Sequence, residues 1–363
     1  MLRKPEYDTF LSDDFSNYRF GGEKKMITIK EIAAQLDVST TTVSNVIHGK
    51  TKEVSPETIK KVQKFLEEVE YVPNISARNL AQNESKIIGV VLKSRPDRYI
   101  TLLQDPFVCE MIGGLEDAIR SAGYYMMVYI SDDIAEIISH ISTWNADGLI
   151  LFCMLDDDGQ RVTEKYRKPV VFMDTYSEEM LKSYVNIGLD DRQGACDAVR
   201  YLIKCGHRKI AFLSDNQVGV DLERFRGYRM ALKEAGIEYS DRNFLQLHTE
   251  KEEMDRSLHR VARKAKNYTA VFCCSDLFAV QLINALTDQG VRVPEDISVI
   301  GFDDNMYGRF HRPALTTVYQ DAGYRGRRAA ELLIDILKGN QPEKNRIVMK
   351  PHLVIRDTVK VIQ

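Results

Sequence analysis

The 363-residue chain has no run of eighteen apolar residues, the least that a membrane-spanning helix needs. Its first thirty residues lack the charged start and apolar core of a secretory signal, so a cytoplasmic protein is expected. Cysteine occurs six times, but Cys109, Cys153, Cys196, Cys205, Cys273 and Cys274 form no CxxC pair and have no histidine at ligand spacing. Reduced, mostly buried thiols are expected, and no metal. HExxH, GxGxxG, P-loop and GxSxG patterns are all absent, which argues against an enzyme and against a cofactor. Excess charge of one sign is missing too, and a net charge of −3 by itself says nothing about a polyanionic partner.

The length fits two or three domains. Residues 1–25 are polar and without sustained period. They read either as a disordered extension or as a leader ahead of a true start at Met26, because Gly21 to Met26 could be encoded by a purine-rich stretch just before a start codon.

Three short helices follow, within a domain expected over 26–72. Thr28-Ile29-Lys30-Glu31 is a capping box, and Ile29, Ile32, Ala33 and Leu36 share one helical face. Asp37-Val38-Ser39 breaks the run and offers Ser39 as a second N-cap. Val43, Val46 and Ile47 give the second helix its buried side. Ser55-Pro56-Glu57 starts a third helix, with Ile59, Val62, Phe65, Leu66 and Val69 as its apolar side. Two helices joined by a three-residue turn and braced by a third form a helix-turn-helix, whose second helix enters the major groove. Thr40, Thr41 and Asn45 point away from the apolar face, and their groups suit base edges. Thr42 contacts phosphate or covers the bundle. Acidic and basic residues balance over this segment, so phosphate contacts depend on local placement and helix N-termini.

From residue 86 apolar β-rich runs alternate with amphipathic helices, the pattern of parallel sheets with crossover helices. At this length two sheets with a cleft fit better than one. Ligands of such sheets bind outside the carboxyl ends of strands. Those ends carry Asp174 after "VVFM", Ser275 and Asp276 after "VFCC", and Asp303 and Asp304 after "VIGF". Arg224 and Arg226 lie at the start of a helix. Carboxylates, a hydroxyl and arginine without metal spacing suit a polyhydroxylated ligand, with Asp276 and Asp304 read as caps or internal braces.

The run from "TIKEIA" through "VSTTTVSNVI", "VSPETIKKV" and "YVPNISARNL" to "IGVV", continued by "GHRKIAFL", "GYRMALKEAG" and "VPEDISVIGFDD", resembles the LacI/GalR family of bacterial transcription regulators. The resemblance implies an all-α helix-turn-helix headpiece and an α/β two-lobed, periplasmic-binding-protein-like (type I) effector domain over 86–363. Lobe 1 is expected at about 86–188 and 321–341, and lobe 2 at about 189–320 and 342–363. It also implies a hinge helix within 73–85, with Leu80 wedged into the minor groove. The implied DNA contacts are Thr28, Ser39, Thr40, Thr41, Thr42, Ser44, Asn45 and His48, then Asn74, Ala77, Arg78 and Leu80. Implied effector contacts are Phe107, Asp174, Arg224, Ser275 and Asp303. The chain departs from the family pattern in the long connection "KSRPDRYITLLQ", in Ser275 where asparagine is common, and around His248 to Glu253.

The expected protein is a repressor of a carbohydrate-utilisation operon, controlled by a sugar or phosphosugar and binding a pseudo-palindromic operator as a homodimer. No terminal heptad repeat points to a tetramer. The alternatives are a catabolite-control regulator with a phosphorylated carrier protein as corepressor, and a sugar solute-binding protein.

Overall fold

A computed structural model describes residues 27–71, 84–95 and 101–362, with only the backbone of Asp156. The hinge positions Asn74, Ala77, Arg78 and Leu80, and residues 1–25, lie outside the described residues. The chain divides into two units, residues 1–82 and 83–363.

In the first unit, α1 (Ile29–Leu36), α2 (Thr40–Ile47) and α3 (Pro56–Glu68) are each started by a hydroxyl cap, from Thr28, Ser39 and Ser55. Asp37 ends α1 in the left-handed conformation, φ 50°, which turns the chain sharply enough to start α2 three residues on. Ile32, Ala33, Leu36, Val43, Val46 and Val62 form the buried core, with Ile59, Phe65 and Leu66 packed against it. Val69 is the C-cap of α3, half-buried and outside that cluster. Lys61 Nζ donates to Leu36 O at 2.9 Å, tying α3 to the orphan carbonyl end of α1.

The second unit holds two sheets. Up to the first crossing the elements are β1 (Ile87–Lys93), α4 (Pro106–Ser121), β2 (Tyr125–Ser131), α5 (Ile134–Trp144), β3 (Gly148–Phe152), α6 (Asp156–Lys165), β4 (Val170–Met173), α7 (Glu178–Ser183) and β5 (Val185–Leu189). Then come α8 (Asp191–Lys204), β6 (Ile210–Ser214), α9 (Gly219–Glu234), β7 (Phe244–Gln246), α10 (Met254–Ala265), β8 (Ala270–Cys273), α11 (Asp276–Thr287), β9 (Ser298–Ile300), α12 (Met306–Phe310) and β10 (Thr317–Tyr319). The last are α13 (Ala322–Leu337), β11 (Arg346–Met349) and β12 (His352–Val354).

One sheet has the order β11-β5-β4-β3-β1-β2 and the other β7-β6-β8-β9, both parallel throughout. An antiparallel β10–β12 ribbon lies beside β9. Alternation along β1 serves two cores, with Ile88, Val90 and Leu92 on one face and Val91 on the other, as a sheet covered on both sides requires.

The chain passes between the lobes three times, after β5, after β10 and after β11. The third crossing corrects the boundary expected from sequence. Residues 346–349 pair in parallel with β5 in the first sheet, whereas 342–363 was expected in lobe 2. The strand is short and its side chains alternate between exposed and half-buried, so no apolar run marked it. Four of the six thiols are buried, while Cys109 and Cys153 are exposed. No described helix is long and apolar enough to cross a membrane.

Candidate functional site

The headpiece hydroxyls divide into occupied and free. Thr28 Oγ1 accepts from Glu31 N at 3.3 Å and the Glu31 carboxylate accepts in return from Thr28 N at 2.7 Å. Ser39 Oγ accepts from Thr42 N at 2.9 Å and lies 2.8 Å from Thr42 Oγ1. Thr40, Thr41 and His48 are exposed, and Ser44 and Asn45 half-buried. Thr40 and Thr41 thus stand in the first turn of α2, where unpaired backbone N–H groups and helix polarity favour a phosphate or an acceptor-rich base edge. Thr28, Ser39 and Thr42 are engaged in caps.

In the second unit the strand-end acids fall into one ring of hydrogen bonds and an ion pair, closed through the chain itself. Asp174 follows β4 and its Oδ1 accepts from Arg325 Nη2 of α13. Arg325 Nη1 donates to Gln320 Oε1 at 2.5 Å, and Gln320 Nε2 donates to Asp303 Oδ1 at 2.6 Å. That carboxylate lies 3.6 Å from Arg224 Nη1 of α9. Arg224 Nε in turn donates to Asp191 Oδ1 at 2.8 Å, and Asp191 Oδ2 accepts from the Tyr176 hydroxyl at 2.6 Å. Tyr176 stands two residues after Asp174, which closes the circuit. The ring joins the carboxyl end of β4 in one sheet to that of β9 in the other and runs along two of the crossings. A second link spans the same ends, with Arg95 after β1 3.1 Å from Asp215 after β6.

Close helix contacts bring the two arginines in. A Cβ on Gly227 would stand 2.1 Å from Arg192 O, and one on Gly326 2.2 Å from Met111 O. Bare backbone at these positions sets α9 on α8 and α13 on α4. Arg224 also donates to Cys274 O at 2.5 Å and lies 3.7 Å over the Phe302 ring, a cation–π contact in a desolvated place.

Burial governs the charges. It pushes the Asp174 and Asp303 carboxyls up from the usual carboxylate range, against the pull of Arg325 and Arg224 respectively. Burial also opposes the Arg224 charge, but Asp191 and Asp303 outweigh it and hold the guanidinium firmly protonated. Several ends are strained as well: Asp174, Asp303 and Asp304 have φ of 57°, 125° and 56°, conformations that L-residues adopt rarely and that cluster at binding sites.

Of the expected effector contacts, Asp174, Arg224 and Asp303 lie in the ring. Phe107 flanks it, its ring centroid 5.9 Å from Arg325 Cζ. Ser275 caps α11, accepting from Phe278 N at 3.3 Å, and no described contact ties it to the ring. Asp276 is an internal brace, accepting from Asn305 N at 2.9 Å and from Thr317 Oγ1. Asp304 pairs with Arg356 at 2.6 Å.

Sequence reasoning missed Tyr176, Asp191, Gln320 and Arg325. Asp191 follows the apolar run "VNIGL", so the strand-end rule that found Asp174 could have found it. Arg325 shares a helical stripe with Ala322, Ala329 and Leu333, and a charge on an apolar stripe is itself a signal.

Residues 28–74 match the bacterial regulatory proteins of the lacI family, and residues 199–359 match the periplasmic binding protein-like domain. The HTH-type transcriptional repressor PurR of Vibrio vulnificus (strain CMCP6) is 34% identical over 345 residues, which is 93% of this chain and all of that protein. A solved lac repressor dimer bound to operator and the anti-inducer ONPF superposes with a TM-score of 0.80 at 25% identity, over 93% of this chain and 100% of that one. A complex of the transcriptional regulator CelR with cellobiose gives 0.68 at 27% identity, over 92% of this chain and 99% of the other. Identity at this level over the full length of a repressor, with a two-lobed domain behind a helix-turn-helix, places the chain in a family: it belongs to the lacI family of bacterial regulatory proteins.

Proposed function

We propose that this protein is a sequence-specific repressor of a carbohydrate-utilisation operon, whose grip on a pseudo-palindromic operator is set by a small sugar lodged between the two lobes. The observation that carries the reading is the buried ring from Asp174 to Tyr176, which spans both sheets at their carboxyl ends. Sugar hydroxyls donate to carboxylates and accept from guanidinium and amide groups, so a sugar has partners on both lobes. A ligand held by both lobes favours one lobe spacing over another, and only that difference in affinity is transmitted. Cellobiose in the CelR complex supports the carbohydrate class.

On the DNA side, Thr40, Thr41 and Asn45 read base edges from α2, and the caps at Thr28, Ser39 and Ser55 fix the helix ends. A homodimer follows from the need to present two headpieces to two half-sites. The test is a gel-shift titration of the full chain on its own upstream region at fixed salt, with and without a panel of sugars. A sugar that changes operator affinity supports the reading. Operator affinity indifferent to every sugar that binds the protein overturns it.

A further inference from the structure

Arg325 is 2% exposed, and two of its three kinds of nitrogen are occupied, Nη1 by Gln320 and Nη2 by Asp174. Its Nε–H is buried and has no acceptor among the described residues. A buried donor left unpaired costs about 1–3 kcal/mol, so such a group in a binding region marks a contact left for a ligand. The acids of the ring have the opposite spare capacity. Asp191 uses both oxygens, on Arg224 and Tyr176. Asp174 and Asp303 use only Oδ1, and among the described residues nothing donates to their second oxygens.

The charge tally points the same way. The carboxyls of Asp174, Asp191 and Asp303 outnumber the two guanidiniums, both of which are already paired with them. Burial, with Asp105 at the N-cap beside Phe107 acting the same way on Asp303, already pushes the Asp174 and Asp303 carboxyls up. A carboxylate or phosphate on the ligand supplies acceptors only and would face this excess of acids. Hydroxyl groups supply both donors and acceptors.

Building on the effector reading above, we propose that Arg325 is an effector-contact residue that sets specificity. Its Nε–H donates to an oxygen of an uncharged polyhydroxylated ligand, and the second oxygens of Asp174 and Asp303 accept from the ligand's hydroxyls. Sugar acids and phosphosugars are thereby disfavoured, and Phe107 beside the guanidinium offers a face for the ligand's C–H groups.

The test titrates the full chain calorimetrically with D-ribose, D-glucose and cellobiose, and in parallel with ribose 5-phosphate, glucose 6-phosphate and gluconate. At least one neutral sugar binds, and its anionic counterpart binds at least tenfold more weakly. Arg325→Lys keeps a charge opposite Asp174 but lacks the planar fork, and it weakens the neutral sugar tenfold or more. Cooperative melting of the ligand-free variant is the folding control. Should that control fail, Asp303→Asn gives the second test, by narrowing the gap between neutral and anionic ligands. An anionic sugar that binds more tightly than its neutral counterpart overturns the inference and leaves the effector reading standing. Unchanged affinity in a folded Arg325→Lys, or an unchanged gap in Asp303→Asn, does the same. Binding of no sugar of either kind, with operator binding intact, overturns both.

Discussion

Individual side chains carry the chemistry on both units, and their roles separate by which polar atoms are already used. Asn45 sits half-buried one turn beyond Thr41 on α2, with an amide able to pair with one base edge. Asn45→Ala is expected to lose about 1–3 kcal/mol of discrimination at one operator position, read by competition among operators substituted base pair by base pair. Equal losses on operator and random duplexes would contradict that role. Asp276 makes a pH prediction. Burial raises its carboxyl to about 7, against the hydrogen bonds from Thr317 and the Asn305 backbone. The native state therefore holds a proton that the unfolded chain has released above its ordinary carboxylate range. Stability from this group is full below about pH 4 and is lost as pH rises toward 7. The melting midpoint of the wild type is expected to fall from pH 5 to 8 more steeply than that of Asp276→Asn, and parallel profiles would contradict this. Asp174 and Asp303 were legible in the sequence because strand ends define where they stand, and Arg224 because it is a charge early in a helix, although α9 starts before it. Tyr176 and Gln320 were not, because only the fold chooses their partners, and the charge of Arg325 on an apolar stripe did not reveal that its partner Asp174 lies 151 residues away.

Secondary-structure elements show where local chemistry suffices. The three headpiece helices read directly from their caps. By contrast α9 begins at Gly219, five residues before the expected Arg224. Its first turn holds glycine and valine, both poor helix formers, and no side chain caps it. The parallel strand β11 was invisible because β5 alone specifies it. Two substitutions test the element-level reading. Ser39→Ala removes the α2 cap and is expected to lower headpiece stability by about 1 kcal/mol, measured by urea unfolding. Gly227→Ala forces α9 off α8 and is expected to cost about 1–3 kcal/mol and to weaken sugar binding by displacing Arg224. A Gly227→Ala protein of wild-type stability would contradict the close-approach account.

The whole molecule combines a small helical unit, whose surface is nearly neutral, with a two-lobed unit whose polar ring crosses between the sheets. Near-neutral headpieces gain little from counterion release, so specificity rests on two headpieces engaged together. The account's central claim is that the ring couples a sugar to that engagement. The most direct measurement is fluorescence anisotropy of a labelled operator, titrated with the full chain at fixed salt with and without saturating sugar, for the wild type and for Asp303→Ala. The account predicts an operator affinity that changes about tenfold or more with sugar in the wild type, which is about 1.4 kcal/mol of coupling, and a ratio near one in Asp303→Ala. An undiminished ratio in Asp303→Ala would contradict it.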